Sequence, residues 1–147
     1  MECIDASVAV KWFKADEENV KEAYGLYERI RRGEADYAVN EWLALEVVRG
    51  LLKANVSKEN ALEAYGIINR MFSSGILLRI TVSEVIELAK DLEADLNLHA
   101  ADAVHLATAL STGSETLWTE DAHLHKAGVR NYCRKRGLEI RRLKSKV

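Results

Sequence analysis

Five short strand-like runs, interleaved with helix-length amphipathic stretches, constrain this chain more than any other feature. Residues 2–5, 36–39, 76–80, 115–118 and 138–142 are brief and apolar enough to read as strands. Between them, helical spacing governs 16–32, where Val20, Ala23, Tyr24, Tyr27 and Ile30 share one side. Residues 41–54 and 58–73 read as a helical hairpin, turned at Asn55-Val56-Ser57, and residues 83–95 and 100–111 as two more helices. A helix also starts at Ser7, and another opens at Asp121. Short strands alternating with helices predict a largely parallel α/β sheet of four or five strands, covered on both faces. A length of 147 residues predicts one domain over 1–147, enough to bury roughly 70% of the unfolded surface. Proline is absent, so glycine punctuates: Gly33, Gly75, Gly113, Gly128 and Gly137 are each expected in the left-handed region past a helix end.

In such sheets, ligands bind beyond the carboxyl ends of the strands. Asp5 closes the first strand and Asp121 follows the fourth, so both are expected on that rim. Two more acids sit in apolar company. Glu46 lies inside EWLALEVVRGLL, and Asp102 begins the run HAADAVHLATAL, which is polar only at His99, Asp102, His105 and Thr108. Carboxylates beside a core cost free energy unless they are paired. Each has a local alternative. Asp5 suits a helix N-cap, Glu46 suits a surface pair with Arg49, and Asp102 suits the first turn of its helix. Glu41 and Glu120 compete as acids of their segments, and Ser7 and Thr119 are candidate supporting hydroxyls.

Taken jointly, four carboxylates that meet would repel one another and raise each other's pKa, and a shared cation relieves that cost. All-oxygen donors suit a hard ion such as Mg2+ or Mn2+. A cation held there can bind a phosphate oxygen, activate water and stabilise a leaving oxygen. The histidines argue less strongly. His123 and His125 are two apart and would not face one side of a helix, while His99 and His105 read as partly buried neighbours of Asp102.

Other chemistries are excluded by what the chain lacks. It contains no GxGxxG, P-loop, GxSxG or HExxH. Cys3 and Cys133 have no metal spacing and are expected unpaired, with Cys3 a small buried hydrophobe. No run approaches a membrane span, and the start lacks the pattern of a signal peptide, so a cytoplasmic location is expected. The net charge of -2 hides an asymmetry: residues 1–125 carry -10 and residues 126–147 carry +8. That basic end reads either as a solvated tail or as a phosphate-binding surface.

The order of an early Asp-x-Ser, a mid-chain Glu, the helix Asp102-Ala103-Val104-His105-Leu106-Ala107-Thr108-Ala109 and the turn Thr119-Glu120-Asp121 resembles PIN-domain ribonucleases. Within that family, the chain resembles the VapC-type toxins of toxin–antitoxin pairs. The resemblance implies a three-layer α/β/α sandwich and a Mg2+- or Mn2+-dependent endoribonuclease of the type II toxin class. It assigns Asp5, Glu46, Asp102 and Asp121 as metal-binding and catalytic acids, with Thr119 and Ser7 as supporting hydroxyls. It further implies an RNA substrate, a homodimer and a cognate antitoxin that blocks the acidic groove. RNA is expected to run along Arg31, Arg32, Arg49 and the basic end, with Trp12, Trp42 or Trp118 available for stacking. The chain departs from the family in lacking a proline near AVNEWLALE. Three other readings are a non-catalytic RNA- or partner-binding module, an RNA-processing nuclease outside a toxin pair, and a phosphotransfer domain with Asp5 as nucleophile.

Overall fold

The computed structural model describes residues 1–14 and 18–144. It contains five strands: β1 (Glu2–Ile4), β2 (Tyr37–Asn40), β3 (Leu78–Ile80), β4 (Thr116–Trp118) and β5 (Glu139–Arg141). The helices are α1 (Ala6–Ala9), α2 (Val20–Arg31), α3 (Trp42–Lys53), α4 (Lys58–Ser73), α5 (Val82–Leu96), α6 (Ala100–Ser111) and α7 (Ala127–Arg134). Two 3-10 turns, Val10–Phe13 and Ala122–His125, continue α1 and precede α7.

All strand pairs are parallel, in the order β3-β2-β1-β4-β5. The chain winds outward from β1 through β2 to β3, then returns to the other side of β1 for β4 and β5. The direction therefore switches between β1 and β4, which opens a crevice at their carboxyl ends. Alternate residues of each strand feed opposite cores. Ile4, Tyr37 and Val39 join the core built with α1 to α4, whereas Cys3, Leu117 and Ile140 join the core built with α5 to α7. The sheet is thus the middle of three layers, as expected.

Helix ends follow their local chemistry. Thr81 and Glu84 form a reciprocal capping box at the start of α5, and Ser57 accepts from the Asn60 amide at the start of α4. Gly33, Gly75, Gly113 and Gly137 have positive φ, as predicted. Gly128 does not, because it lies inside α7. The left-handed positions at the ends of α3 and α5 fall instead to Asn55 and Asn97. The predicted helix over 16–32 begins at Val20; Asp16 and Glu17 lie outside the described residues, as do residues 145–147 of the basic end. The helix expected at Asp121 is a single 3-10 turn. The basic end is no loose tail through residue 140, since Val129, Cys133, Leu138 and Ile140 are buried. Its short helix is masked in the sequence by charge and by Gly128.

One buried polar residue ties the layers beside the crevice. Asn40 ends β2 with no exposure; its Oδ1 accepts from the Trp42 amide at 2.9 Å, fixing the start of α3. Its Nδ2 donates to Thr108 Oγ1 of α6 at 3.1 Å and to the Thr81 carbonyl at 3.4 Å. Replacing Asn40 with Ala leaves the Trp42 amide and the Thr81 carbonyl without this partner. The expected cost is about 1–3 kcal/mol, read in urea unfolding as a lower midpoint at unchanged slope.

Candidate metal centre

Asp5 is placed by β1 and by its role as N-cap of α1. Its Oδ1 accepts from the Ser7 amide at 3.0 Å and from Ser7 Oγ at 2.5 Å. Its Oδ2 accepts from Thr119 Oγ1 at 2.5 Å, so a hydroxyl from each side of the crevice holds one oxygen. Thr119 is fully buried just past β4, and its Oγ1 accepts from the Asp121 amide at 3.0 Å. Ser7 Oγ accepts in the same way from the Glu120 amide at 2.8 Å. These five bonds lock the turn 119–121 against the start of α1. The capping role weighed for Asp5 is real, and it coexists with a place in the acidic cluster.

Helix α6 brings in Asp102 and His105, which are 8% and 2% exposed. Asp102 is hydrogen-bonded to Asp121 and lies within electrostatic reach of Asp5. Burial first, then the charge and hydrogen bond of Asp121, push its carboxyl from the ordinary 3.8 up to about 7. Burial likewise raises Asp5, against the lowering effects of His105 and its two hydroxyl partners, and Glu46 adds to the rise. Glu46 enters from α3 and hydrogen-bonds His105 Nε2, not Arg49. His105 lies within electrostatic reach of Asp102, as expected, and also bridges α6 to α3 through Glu46. Burial would depress its imidazole, but the hydrogen bond and charge of Glu46, with Asp5 and Asp102, raise it. Its Nδ1 is buried without a partner.

Asp5, Glu46, Asp102 and Asp121 therefore share one electrostatic neighbourhood at the switch-point crevice. Among the described residues, no lysine or arginine forms an ion pair with any of them. Nor do three of their carboxylates stand in the close geometry of a finished metal cage. The arrangement is one of pairs, Asp102 with Asp121 and Glu46 with His105. The donor chemistry still fits a hard divalent cation: oxygen ligands from four elements, a carboxyl pair joined through a hydrogen bond, and, among the described residues, one imidazole and no lysine or arginine paired with them.

The competing acids are committed elsewhere. Glu41 pairs with Arg79 and accepts from the Val82 amide, and Glu120 Oε1 accepts from the Leu143 amide. His99 and His123 are exposed and face each other with ring centroids 5.2 Å apart. His125 turns away, its Nε2 bonded to the Thr119 carbonyl. Reasoning from sequence missed Asn40 as the anchor of α3. Its place one residue before a helix is an Asn-cap signal that could have revealed it.

The sequence profile of the PIN domain matches residues 3–129. The chain belongs to the PIN-domain family. No curated protein sequence matches it. Solved structures of PIN-type toxins share the fold. VapC20 of Mycobacterium tuberculosis, described as a Sarcin-Ricin loop cleaving toxin, superposes with a TM-score of 0.69 at 15% identity, over 87% of this chain and 95% of that one. VapBC2 of Rickettsia felis, bound to a DNA fragment from its promoter, gives 0.62 at 14% identity over 96% and 97%. A toxin–antitoxin complex of Klebsiella pneumoniae gives 0.60 at 19% identity over 94% and 95%. The fold expected from the resemblance, an α/β/α sandwich of the PIN type with a parallel sheet, is the fold observed.

The raised carboxyl of Asp102 carries a stability consequence with a definite sign. Its folded-state pKa lies above the unfolded value, so the folded chain binds more protons between about pH 4 and 7. Stability without metal therefore falls as pH rises through that window, on the order of a few kcal/mol. In chelator, Asp102→Asn is expected to melt above the parent at about pH 8 and level with it near pH 4. Differential scanning calorimetry at both pH values checks this; a gap independent of pH would assign the effect to packing.

Proposed function

We propose that this PIN-domain protein is a Mg2+- or Mn2+-dependent endoribonuclease, working as a single domain and as the toxin of a type II toxin–antitoxin pair in the cytoplasm. The observation that carries the reading is the meeting of Asp5, Glu46, Asp102 and Asp121 at the switch point, with no arginine or lysine pairing them among the described residues. Isolated structural acids would each have a local lysine or arginine; these have one another, two hydroxyls and a single imidazole.

A bound divalent ion supplies Lewis-acid polarisation of the phosphate and lowers the pKa of attacking water. The protein's own part is positional. Ser7 and Thr119 hold Asp5 in one rotamer, so its carboxylate is aimed before ligand arrives. His105 holds Glu46 from behind, fixing the contribution of α3. Asp102 and Asp121, side by side across the crevice, would hold the ion together, and its charge would favour the ionised form of Asp102. Burial of Asp5 and Asp102 keeps water from screening the charge gathered there.

RNA as substrate is supported by the fold shared with a toxin described as cleaving the Sarcin-Ricin loop. An antitoxin partner is supported by the two toxin–antitoxin complexes of the same fold. Exposed Trp42, Leu45 and Tyr65 along α3 and α4 are suited to a protein partner, either the antitoxin or a second copy in a homodimer. Among the described residues, no helix is long and apolar enough to cross a membrane.

Two measurements test the metal site together. Mg2+ or Mn2+ is expected to raise the melting temperature of the parent, by about 2.7 kcal/mol of stabilisation at a hundredfold excess over Kd. Asp5→Asn and Asp102→Asn should fold, lose that shift, and lose metal-dependent cleavage of RNA by at least roughly a hundredfold. Full Mg2+-dependent cleavage by either purified variant would sink the assignment.

A further inference from the structure

The basic end of the chain forms a groove along the edge strand β5, behind the turn that carries Thr119 and Asp121. Between α7 and β5 lies a cleft of about 270 Å³ lined by His125, Arg130, Glu139, Arg141, Arg142 and Lys144. Four cations thus face one carboxylate, and Glu139 is itself shared with Arg141 at 3.9 Å. Besides that ion pair, the guanidinium groups have neutral partners. Arg142 donates to the Glu120 carbonyl at 3.1 Å, Arg130 donates to the Ile140 carbonyl at 3.4 Å, and Arg141 lies 5.1 Å from the centroid of the Trp118 ring. Lys144 has no ion-pair partner among the described residues. Burial first, and then Arg142 and Arg130, hold the His125 imidazole below its ordinary value, so the local field already resists a further proton.

The groove is built onto the back of the turn that carries Thr119 and Asp121. Thr119 Oγ1 faces Asp5, while the Thr119 and Glu120 carbonyls face the groove and accept from His125 and Arg142. The Thr119 amide donates to the Arg141 carbonyl at 3.0 Å, which sets the two sides in fixed register. Arg31 and Arg32 offer no such surface. They close α2 before β2 begins, toward the amino ends of the strands, and both pair with Glu28. Most of the groove also lies beyond residue 129, where the family match ends.

We propose that this groove binds backbone phosphates of a single-stranded RNA, on one flank of the bond presented to the acids. The flanking position rests on the nuclease reading; phosphate binding by the groove does not. An array of planar guanidiniums fixed by carbonyls and a ring keeps its free N–H groups directed outward, which suits phosphate oxygens. Acids without a cation repel RNA, so an adjacent cationic track supplies the attraction needed to bring the strand over them.

The test uses the full chain in chelator, where no metal-dependent cut occurs, and a short unstructured fluorescent oligoribonucleotide. Anisotropy across a salt series gives the affinity and its salt slope. Arg130→Gln with Lys144→Gln is expected to weaken binding about tenfold near 0.1 M salt and to reduce the slope by about 1.4, at ~0.7 per lost phosphate contact. Arg130→Lys with Lys144→Arg should keep the parent slope, as should Arg31→Gln with Arg32→Gln. A polyglutamate peptide of equal charge should compete poorly. Parent-like binding by the neutralised variant overturns the groove proposal, and so does tighter binding of the peptide than of RNA. Groove-dependent binding by a parent that never cleaves with Mg2+ would overturn the nuclease reading and leave the groove standing.

Discussion

A carboxylate almost without solvent, held between two hydroxyls from opposite sides of a crevice, is the fixed point of this structure. Asp5 is 3% exposed, and its oxygens are used by Ser7 and Thr119. Burial disfavours its charge, yet the two hydroxyl donors and His105 work against that cost. The same bonds hold the start of α1 to the turn after β4. The two cores of the sheet therefore meet at a charged seam, where a packed hydrophobe would have given more stability and no chemistry.

The remaining acids are set by a second layer of polar contacts. Asn40 fixes the first turn of α3 and reaches Thr108 of α6, and one turn back along α6 His105 reaches Glu46 of α3. One link joins α3 to α6 directly and the other joins α6 to the strand end that anchors the start of α3, so α3 cannot slide along α6 without straining both. Buried networks of this kind favour one arrangement of their members over close alternatives. The geometry of the acids is thereby specified by residues that carry no charge at neutral pH, Asn40 and Thr108, as much as by the acids themselves.

Much of this was legible in the order of residues. The five strands were readable as short apolar runs: a parallel sheet buries both faces of its inner strands, as in YAV, and even the edge run ILLRI keeps Leu77 buried. Asp5, Glu46, Asp102 and Asp121 stood out as acids in apolar surroundings, and the fold brings all four to one crevice. Pair identities were not legible. The Glu46–His105 bond spans 59 residues, and nothing local distinguishes it from a pair with Arg49 three residues away. Helix α7 was hidden because only Val129, Tyr132 and Cys133 give it an apolar side within dense positive charge. Asn40 fell between the strand 36–39 and the helix 41–54 with no role, since a polar residue before a helix gives no sign of burial until the layers are stacked.

The turn after β4 has the Thr119 hydroxyl directed into one basin and the Thr119 and Glu120 carbonyls into another. Its backbone cannot be shifted to suit an occupant of either without disturbing what the other side grips. Two ligands meeting there would sense each other through a few shared peptide units, with no movement of domains. Linkage then requires the influence to run equally both ways, so each would alter the other's affinity by the same factor.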